Sequence, residues 1–456
     1  MSTEHTIAAI ATPIGSAGIG VIRISGPAAV EIALRLFGHE ETFPTHTARH
    51  GKLIAPDTGD VIDDAVLTIF RTPHSYTGED VAEFSCHGGF AVLKAALNAI
   101  LQAGARLAEP GEFTKRAFLN GKIDLAQAEA VNDLIRARTD GARKVALRQL
   151  QGGLSDRIRE ISGGILGVIA AIEAAIDFPE DVPEPDREWV RAEIAAARDS
   201  IGSVLASFGR GRVYREGLRA VIAGGVNVGK SSLLNALLRH ARAIVTPIPG
   251  TTRDVIEESL EIEGIPIVAI DTAGLRPTDG EVERIGVELA RRSMETADLV
   301  LLVLDASALA EASEPGASQV PAGIPIIAVA NKIDLVDADV ALEACRARLG
   351  DGIPIVCTCA PSGLGIDELE KEIARAALES HSAAESILVS NARHQAALVS
   401  ARDSIEQALS TIENAGMIDL LSVDLTAARN SLGTITGETA TDDLLDRIFS
   451  EFCVGK

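Results

Sequence analysis

Along the first quarter of the chain, apolar and polar residues alternate in short β-branched runs. "GIGVIRIS" and "VIDDAVLTIF" read as half-buried strands of period two, set apart by turns. "FAVLKAALNAILQAGA" then switches to helical spacing. The mixture predicts an α/β unit over residues 1–118. Asp124 is a candidate N-cap ahead of Leu125, Ala128, Val131, Leu134 and Ile135, and the helical pattern runs on with glycine breaks to Asp177. A Pro-rich acidic loop, "DFPEDVPEPD", follows, and helix resumes to about Phe208. From about Gly217, apolar runs alternate with amphipathic helices: "LRAVIAG", "IPIVAID", "LVLLVLD", "IPIIAVAN" and "IPIVCT". That is the pattern of a doubly wound parallel sheet. After about Ala377 the chain reads as helical to its end.

The expected fold class is therefore multidomain α/β plus all-α. Its parts are an N-terminal unit (1–118), a first helical part (119–216), an α/β domain (217–377) and a second helical part (378–456). Helical sequence on both sides of a complete α/β domain predicts one central bundle with the α/β domain inserted into it, since domain termini usually lie close together.

At 456 residues there is room for two to four domains. The formal net charge of −23 argues against a protein that grips nucleic acid by its overall field. Arg136, Arg138, Arg143 and Lys144 form a local basic patch that reads as a solvated helix face. "MSTEHTIAAI" lacks the basic start and apolar run of a signal peptide. "GGILGVIAAIEAAI" is short and broken by Glu173, so it reads as a core helix and no membrane span is expected. The five cysteines, Cys86, Cys345, Cys357, Cys359 and Cys453, are scattered and odd in number, which suits reduced thiols in a cytoplasmic protein.

"GGVNVGKSS" contains Gly224-x-x-x-x-Gly229-Lys230-Ser231 between a strand and a helix, the context a phosphate-binding P-loop requires. Backbone N–H groups of Asn227, Val228, Gly229, Lys230, Ser231 and Ser232 would wrap the phosphates at a helix N-terminus. Lys230 would reach the β and γ phosphates, and Ser231 would hold magnesium. Asp271 ends an apolar strand and opens "DTAG", so its carboxylate can hold magnesium through water while Thr272, Ala273 and Gly274 face the γ-phosphate. "NKID" supplies Asn331, Lys332 and Asp334; an Asp carboxylate accepts both the N1–H and N2 amine of guanine, a pair adenine lacks. Cys359 and Ala360, in "TCAPSG", stand where a backbone N–H would meet the guanine oxygen. The nucleotide read here is GTP. At Leu275, where Ras-type enzymes carry a water-orienting glutamine, the side chain is aliphatic and cannot position a nucleophile.

"TPIPGTTRDV" (Thr246 to Val255), "YTGEDVAEFSCHGG", "PGEFTKRAFLNGKIDLAQAEA" and the final "FCVGK" make the chain resemble, end to end, the tRNA-modification GTPases of the MnmE (TrmE) family. The α/β domain is then a Ras-like G domain. The resemblance implies a potassium ion standing in for an arginine finger, held by Asn227, Thr246, Ile248 and Thr251, with Pro247, Pro249 and Gly250 in the same nucleotide loop. Thr252 would be the second magnesium ligand. Glu283 matches the acidic residue that orients the attacking water, with Glu281 as its local competitor. Two G domains would meet across their nucleotides in a homodimer.

The resemblance further implies an N-terminal tetrahydrofolate-binding and dimerisation domain. Arg23, Glu83, Lys122 and Lys456 would bind 5,10-methylenetetrahydrofolate or a related folate. Cys453 would take a catalytic part in modification, although a lone cysteine is usually a bystander. "DDLLDRIFSEF" places Leu445, Ile448, Phe449 and Phe452 on one helical face that anchors this tail. The implied partners are an FAD-bearing protein (MnmG, or GidA) and tRNA, whose wobble uridine would be modified at C5. Two rivals remain: a GTP-switched ribosome-assembly or signalling module without one-carbon chemistry, and a folate-dependent methyltransferase whose GTPase is dispensable.

Overall fold

The computed structural model describes residues 5–38, 43–243, 256–271, 293–309, 320–321, 323–350, 352–379, 388–414 and 418–456. The chain forms two compact units: residues 1–132 with 150–159 and 430–456, and residues 133–149 with 160–429.

In the first unit, six strands form one sheet in the order β3-β4-β5-β2-β1-β6. They are β1 (Ile7–Ile10), β2 (Ala17–Ser25), β3 (Thr47–Ile54), β4 (Val61–Phe70), β5 (Val81–Gly88) and β6 (Arg106–Leu107). All neighbours are antiparallel except β1 and β6. Because successive strand residues point to opposite faces, Ala8, Ile22, Ile24, Leu67, Ile69 and Phe84 share one core. The helices Ala29–Leu36 and Phe90–Gln102 cover it with Val30, Ala33, Leu93, Ala96 and Ile100. The opposite face carries Ala9, Arg23, Glu83 and Thr68 in register across four strands, the last three polar.

The helix Leu125–Arg136 opens with a reciprocal cap: Gln127 N donates to Asp124 Oδ1 and Asp124 N to Gln127 Oε1, both at 3.0 Å. Leu125 and Ala128 pack with Leu445, Phe449 and Phe452, and Ile448 lies half-buried against them. The apolar face expected of "DDLLDRIFSEF" therefore seats the helix Asp442–Ser450. A buried phenylalanine such as Phe449 contributes about 1.5–3 kcal/mol to holding the tail in place.

The second unit holds a seven-stranded sheet in the order β13-β12-β11-β7-β10-β9-β8. These are β7 (Leu218–Gly224), β8 (Arg242–Ala243), β9 (Ile256–Ile262), β10 (Ile265–Asp271), β11 (Leu299–Asp305), β12 (Ile326–Asn331) and β13 (Ile355–Thr358). The five strands read as parallel are parallel. The expectation of a parallel sheet needs one correction, because β9 runs antiparallel to both β10 and β8 at one edge. Its "IEESLEI" is too rich in carboxylates to read as a buried run. Leu233, Leu237, Ile366, Leu369 and Ile373 bring the helices Lys230–His240 and Ile366–Glu379 onto one face, while Ala341 and Cys345 of Ala338–Leu349 cover the other.

Helix Arg187–Ala206 ends two residues short of the expected Phe208 and a separate helix, Phe208–Glu216, follows. At the break, Ser207 is buried, with Oγ donating to Val204 O and accepting from Val389 N. Helices Arg187–Ala206 and Ala392–Glu413 pack along each other. Val190, Ile194, Ala197, Ile201 and Val204 on one, and His394, Leu398, Ala401, Ile405 and Ala408 on the other, repeat at alternating steps of four and three. That is the spacing of a coiled-coil seam. Among the described residues, no helix is long and apolar enough to cross a membrane.

Candidate functional site

The nucleotide motifs converge at the C-terminal ends of the parallel strands, where open α/β sheets bind ligands. β7 runs into the P-loop, β10 ends at Asp271, β11 at Asp305, β12 at Asn331 and β13 at Thr358. In the loop, Asn227 and Gly229 take left-handed backbone angles, φ 62° and 99°. A Cβ at Gly229 would stand 2.3 Å from Asn331 Nδ2, so only glycine lets the two loops close up. Lys230 Nζ folds back onto the carbonyls of Gly224 (3.0 Å) and Gly225 (2.6 Å). Ser231 Oγ donates to Asp271 Oδ2 at 3.0 Å, and Asp271 is buried. A hydroxyl and a carboxylate at that spacing are a hard-oxygen pair of the kind magnesium takes.

Asn331, almost wholly buried, ties three segments together. Its Nδ2 donates to Val228 O (2.9 Å), and its Oδ1 accepts from Ala360 N (3.2 Å) and Thr358 Oγ1 (3.3 Å). A guanine oxygen approaching Ala360 would share that N–H with Asn331. Lys332, at φ 65°, sends Nζ to Asp305 Oδ2 at 2.6 Å. Burial works to raise the Asp305 carboxyl, but hydrogen bonds from Lys332 and Ser307 outweigh it and hold the group below its usual range. Asp334 and Ser232 are exposed, and Cys359 is buried. Thr246, Pro247, Ile248, Pro249, Gly250, Thr251, Thr252, Thr272, Ala273, Gly274, Leu275, Glu281 and Glu283 lie outside the described residues.

A second cluster forms on the polar face of the first unit's sheet. Arg23 Nε pairs with Glu83 Oε1 at 2.7 Å, and the Arg23 guanidinium lies 5.2 Å from the Tyr76 ring and 5.7 Å from that of Phe113. Tyr76 OH shares a hydrogen bond with Thr114 Oγ1 (2.8 Å), and burial pushes its hydroxyl pKa up. Beneath it, the buried Arg116 bridges Glu79 and Glu112, locking the turn that carries Tyr76 to the helix that carries Phe113.

The tail reaches the same place. Arg23 Nη1 donates to Gly455 O at 3.5 Å. Gly455, at φ 92°, lies so close to β1 that a Cβ there would sit 2.5 Å from Ile10 O. Lys456 is half-buried; burial first, then the Arg23 charge, lower its pKa, while Glu83 and Cys453 oppose them. Cys453 is the exposed member of the five free thiols, whereas burial pushes Cys86 up to about 12. Arg23, Glu83, Lys456 and Cys453 thus come together. Lys122 is exposed, with Nζ on Pro73 O (3.0 Å) at the base of the Tyr76 turn.

Sequence reasoning missed Tyr76, Phe113 and Asp305. Tyr76 is one of two tyrosines in an aromatic-poor chain, which was the available signal; nothing local distinguished the other two.

Comparison with known proteins matches both parts of the chain to one family. A family model described as the MnmE helical domain matches residues 125–453, and one described as the GTP-binding protein TrmE N-terminus matches residues 6–122. The tRNA modification GTPase MnmE of Symbiobacterium thermophilum is 50% identical over 460 residues, covering 99% of this chain and 100% of that protein. Its counterpart in Chloroflexus aurantiacus is 49% identical over 457 residues, with 99% and 100% covered. That of Acetivibrio thermocellus is 45% identical over 461 residues, with both chains covered in full. The crystal structure of Aquifex aeolicus Era with GDP and AlF4− shares 27% identity over 41% of this chain and 65% of its own, at a TM-score of 0.27, too low to bear on the fold.

Proposed function

The chain belongs to the MnmE family of tRNA modification GTPases and is a GTP hydrolase acting in tRNA modification; from that premise we propose a potassium-dependent, dimerising enzyme that draws on a folate one-carbon unit. With an FAD-bearing partner of the MnmG (GidA) type, in the cytoplasm, it adds a (carboxymethyl)aminomethyl-type group to C5 of the wobble uridine of certain tRNAs. In this reading the G domain is inserted into a helical bundle; the paired helices Arg187–Ala206 and Ala392–Glu413, on either side of it in sequence, support that layout.

The observation that carries the one-carbon half is the Arg23–Glu83 pair on one sheet face with the tail drawn to it at Gly455, so that Lys456 feels both charges and Cys453 lies beside Lys456. Cations there suit the glutamate carboxylates of a folate, and Glu83 suits the donors of a pterin edge. The Tyr76 and Phe113 rings add apolar surface for a flat heterocycle. A bound methylenetetrahydrofolate would supply carbon at the formaldehyde oxidation level. The protein's part is to orient it and to hold Cys453 beside it.

On the nucleotide side, Ser231 would hold magnesium directly and Asp271 through water, and the amide oxygen of the exposed Asn227 suits a large monovalent cation. A fixed potassium there would offset charge that develops during phosphoryl transfer, a role Leu275 cannot fill. Glu283 would orient the water, and Thr252 would complete the magnesium shell.

GTP turnover measured in matched potassium and sodium buffers tests the cation. Turnover should collapse in sodium; comparable rates would remove potassium from the mechanism. Folate binding to wild type, together with lost tRNA modification in Cys453→Ser, tests the one-carbon half. Modification that survives Cys453→Ser with no folate bound would favour a GTP-switched module instead.

A further inference from the structure

The P-loop helix Lys230–His240 ends on an imidazole that meets the first turn of helix Ile366–Glu379. His240 Nδ1 lies 3.3 Å from Asp367 Oδ1 and 3.8 Å from Glu370 Oε1. One ligand atom from each of the three residues lies within 4.8 Å of the others. Asp367 and Glu370, three residues apart, project from one helix face, and His240 faces them from the other helix. His240 and Asp367 are exposed, which gives solutes access. Glu370 Oε1, by contrast, is buried, and its neighbour His240 Nδ1, at 3.8 Å, stands beyond hydrogen-bond distance. A buried carboxylate oxygen left so is costly unless a cation meets it.

We propose that His240, Asp367 and Glu370 form a binding site for a divalent transition-metal ion of the zinc type. Bonds of about 2.0–2.1 Å to a tetrahedral zinc put neighbouring ligand atoms about 3.3–3.4 Å apart. The 3.3 Å pair already stands at that spacing, the 3.8 Å pair needs a small closure, and the two carboxylates, within 4.8 Å of each other, must close by up to about 1.4 Å on binding. An imidazole with two carboxylates selects zinc-like ions over magnesium or calcium, which take oxygen ligands. Three protein ligands leave a fourth position for water. Occupied, the site would staple the far end of the P-loop helix to its neighbour.

The competing arrangement is a plain ion pair. A protonated imidazole is favoured at a helix C-terminus and carboxylates at a helix N-terminus. That pairing needs a proton on His240 where a metal needs a free lone pair, so a metal titration separates the two.

The full chain, with GDP bound and magnesium in large excess over cobalt to hold the nucleotide pocket, is titrated with Co2+ near neutral pH, and the intense absorption of four-coordinate cobalt is followed. Visible d–d absorption reports the bound ion, and thiolate ligation would add a near-ultraviolet charge-transfer band. We expect a single equivalent without the thiolate band, displaced by Zn2+ and unaffected by Cys453→Ser. His240→Ala and Glu370→Gln should each weaken it at least about tenfold. Circular dichroism and GDP binding report whether the variants fold, and Zn2+ should raise the thermal midpoint of wild type but not of His240→Ala. Absence of cobalt binding, thiolate-banded binding only, or equal affinity in a folded His240→Ala would each overturn the assignment.

Discussion

Ser231 Oγ donates to Asp271 Oδ2 across 3.0 Å, joining the first turn of the P-loop helix to the end of β10. The residue at each end is one that the nucleotide chemistry assigns to magnesium. Ser231→Ala should therefore weaken magnesium-dependent GTP binding about tenfold or more, about 1.4 kcal/mol. GDP binding in EDTA should change far less. Titration of a fluorescent guanine nucleotide with and without magnesium checks this, and equal losses in both would point to a damaged loop.

Asp334 sits exposed after β12, so replacing it leaves the core alone. Its carboxylate is an acceptor twice over, which matches the two N–H donors of guanine. An amide offers one acceptor and one donor, which matches the N1–H and C2 carbonyl of xanthine instead. Asp334→Asn should lose GTP by about 100-fold or more and prefer XTP. Nucleotide competition reads the ratio; an unchanged preference for GTP would remove Asp334 from base recognition.

Lys456 titrates low because it is half-buried beside Arg23, against the pull of Glu83. Glu83→Gln removes an attraction and should move the amine further down; Arg23→Gln removes a repulsion and should move it up. For a base depressed in the folded state, the associated stability is present above its ordinary unfolded pKa and lost as pH falls through the folded one. Carbon-13 methylation of the lysines followed by NMR titration gives the shifts. No shift in either variant would mean that burial alone sets the value.

Gly455→Ala asks for a Cβ 2.5 Å from Ile10 O at a positive φ. The tail should lift from β1 while Phe449 and Phe452 keep the preceding helix seated. The expected phenotype is a GTPase of normal rate with tRNA modification reduced at least about tenfold, since misplacing a reacting group by an ångström is that costly. Coupled loss of both activities would tie the tail to GTP turnover instead.

How much of this was legible depended on how local the cause was. β7 and β10 to β13 announced themselves because a strand buried on both faces has to be apolar throughout. β3, "TARHGKLI", lies at a sheet edge with alternate residues half-exposed, and its polarity hid it. The separate helix Phe208–Glu216 owes its start to Val389 reaching Ser207, a contact no local window contains. P-loop, "DTAG" and "NKID" were readable since each does its work within a few consecutive residues. Asp305 serves Lys332 from another strand's end, and Tyr76 and Phe113 meet Arg23 from distant segments, so only folding discloses them.

The Asn331 amide clasps Val228, Thr358 and Ala360 at once. A frame closed by one side chain is indifferent to how many phosphates hang from the other end of the ligand. Diphosphate and triphosphate forms should therefore present the same purine slot. An inhibitor built against that slot would hold the enzyme equally well before and after turnover, whereas one aimed at the phosphates would have to choose.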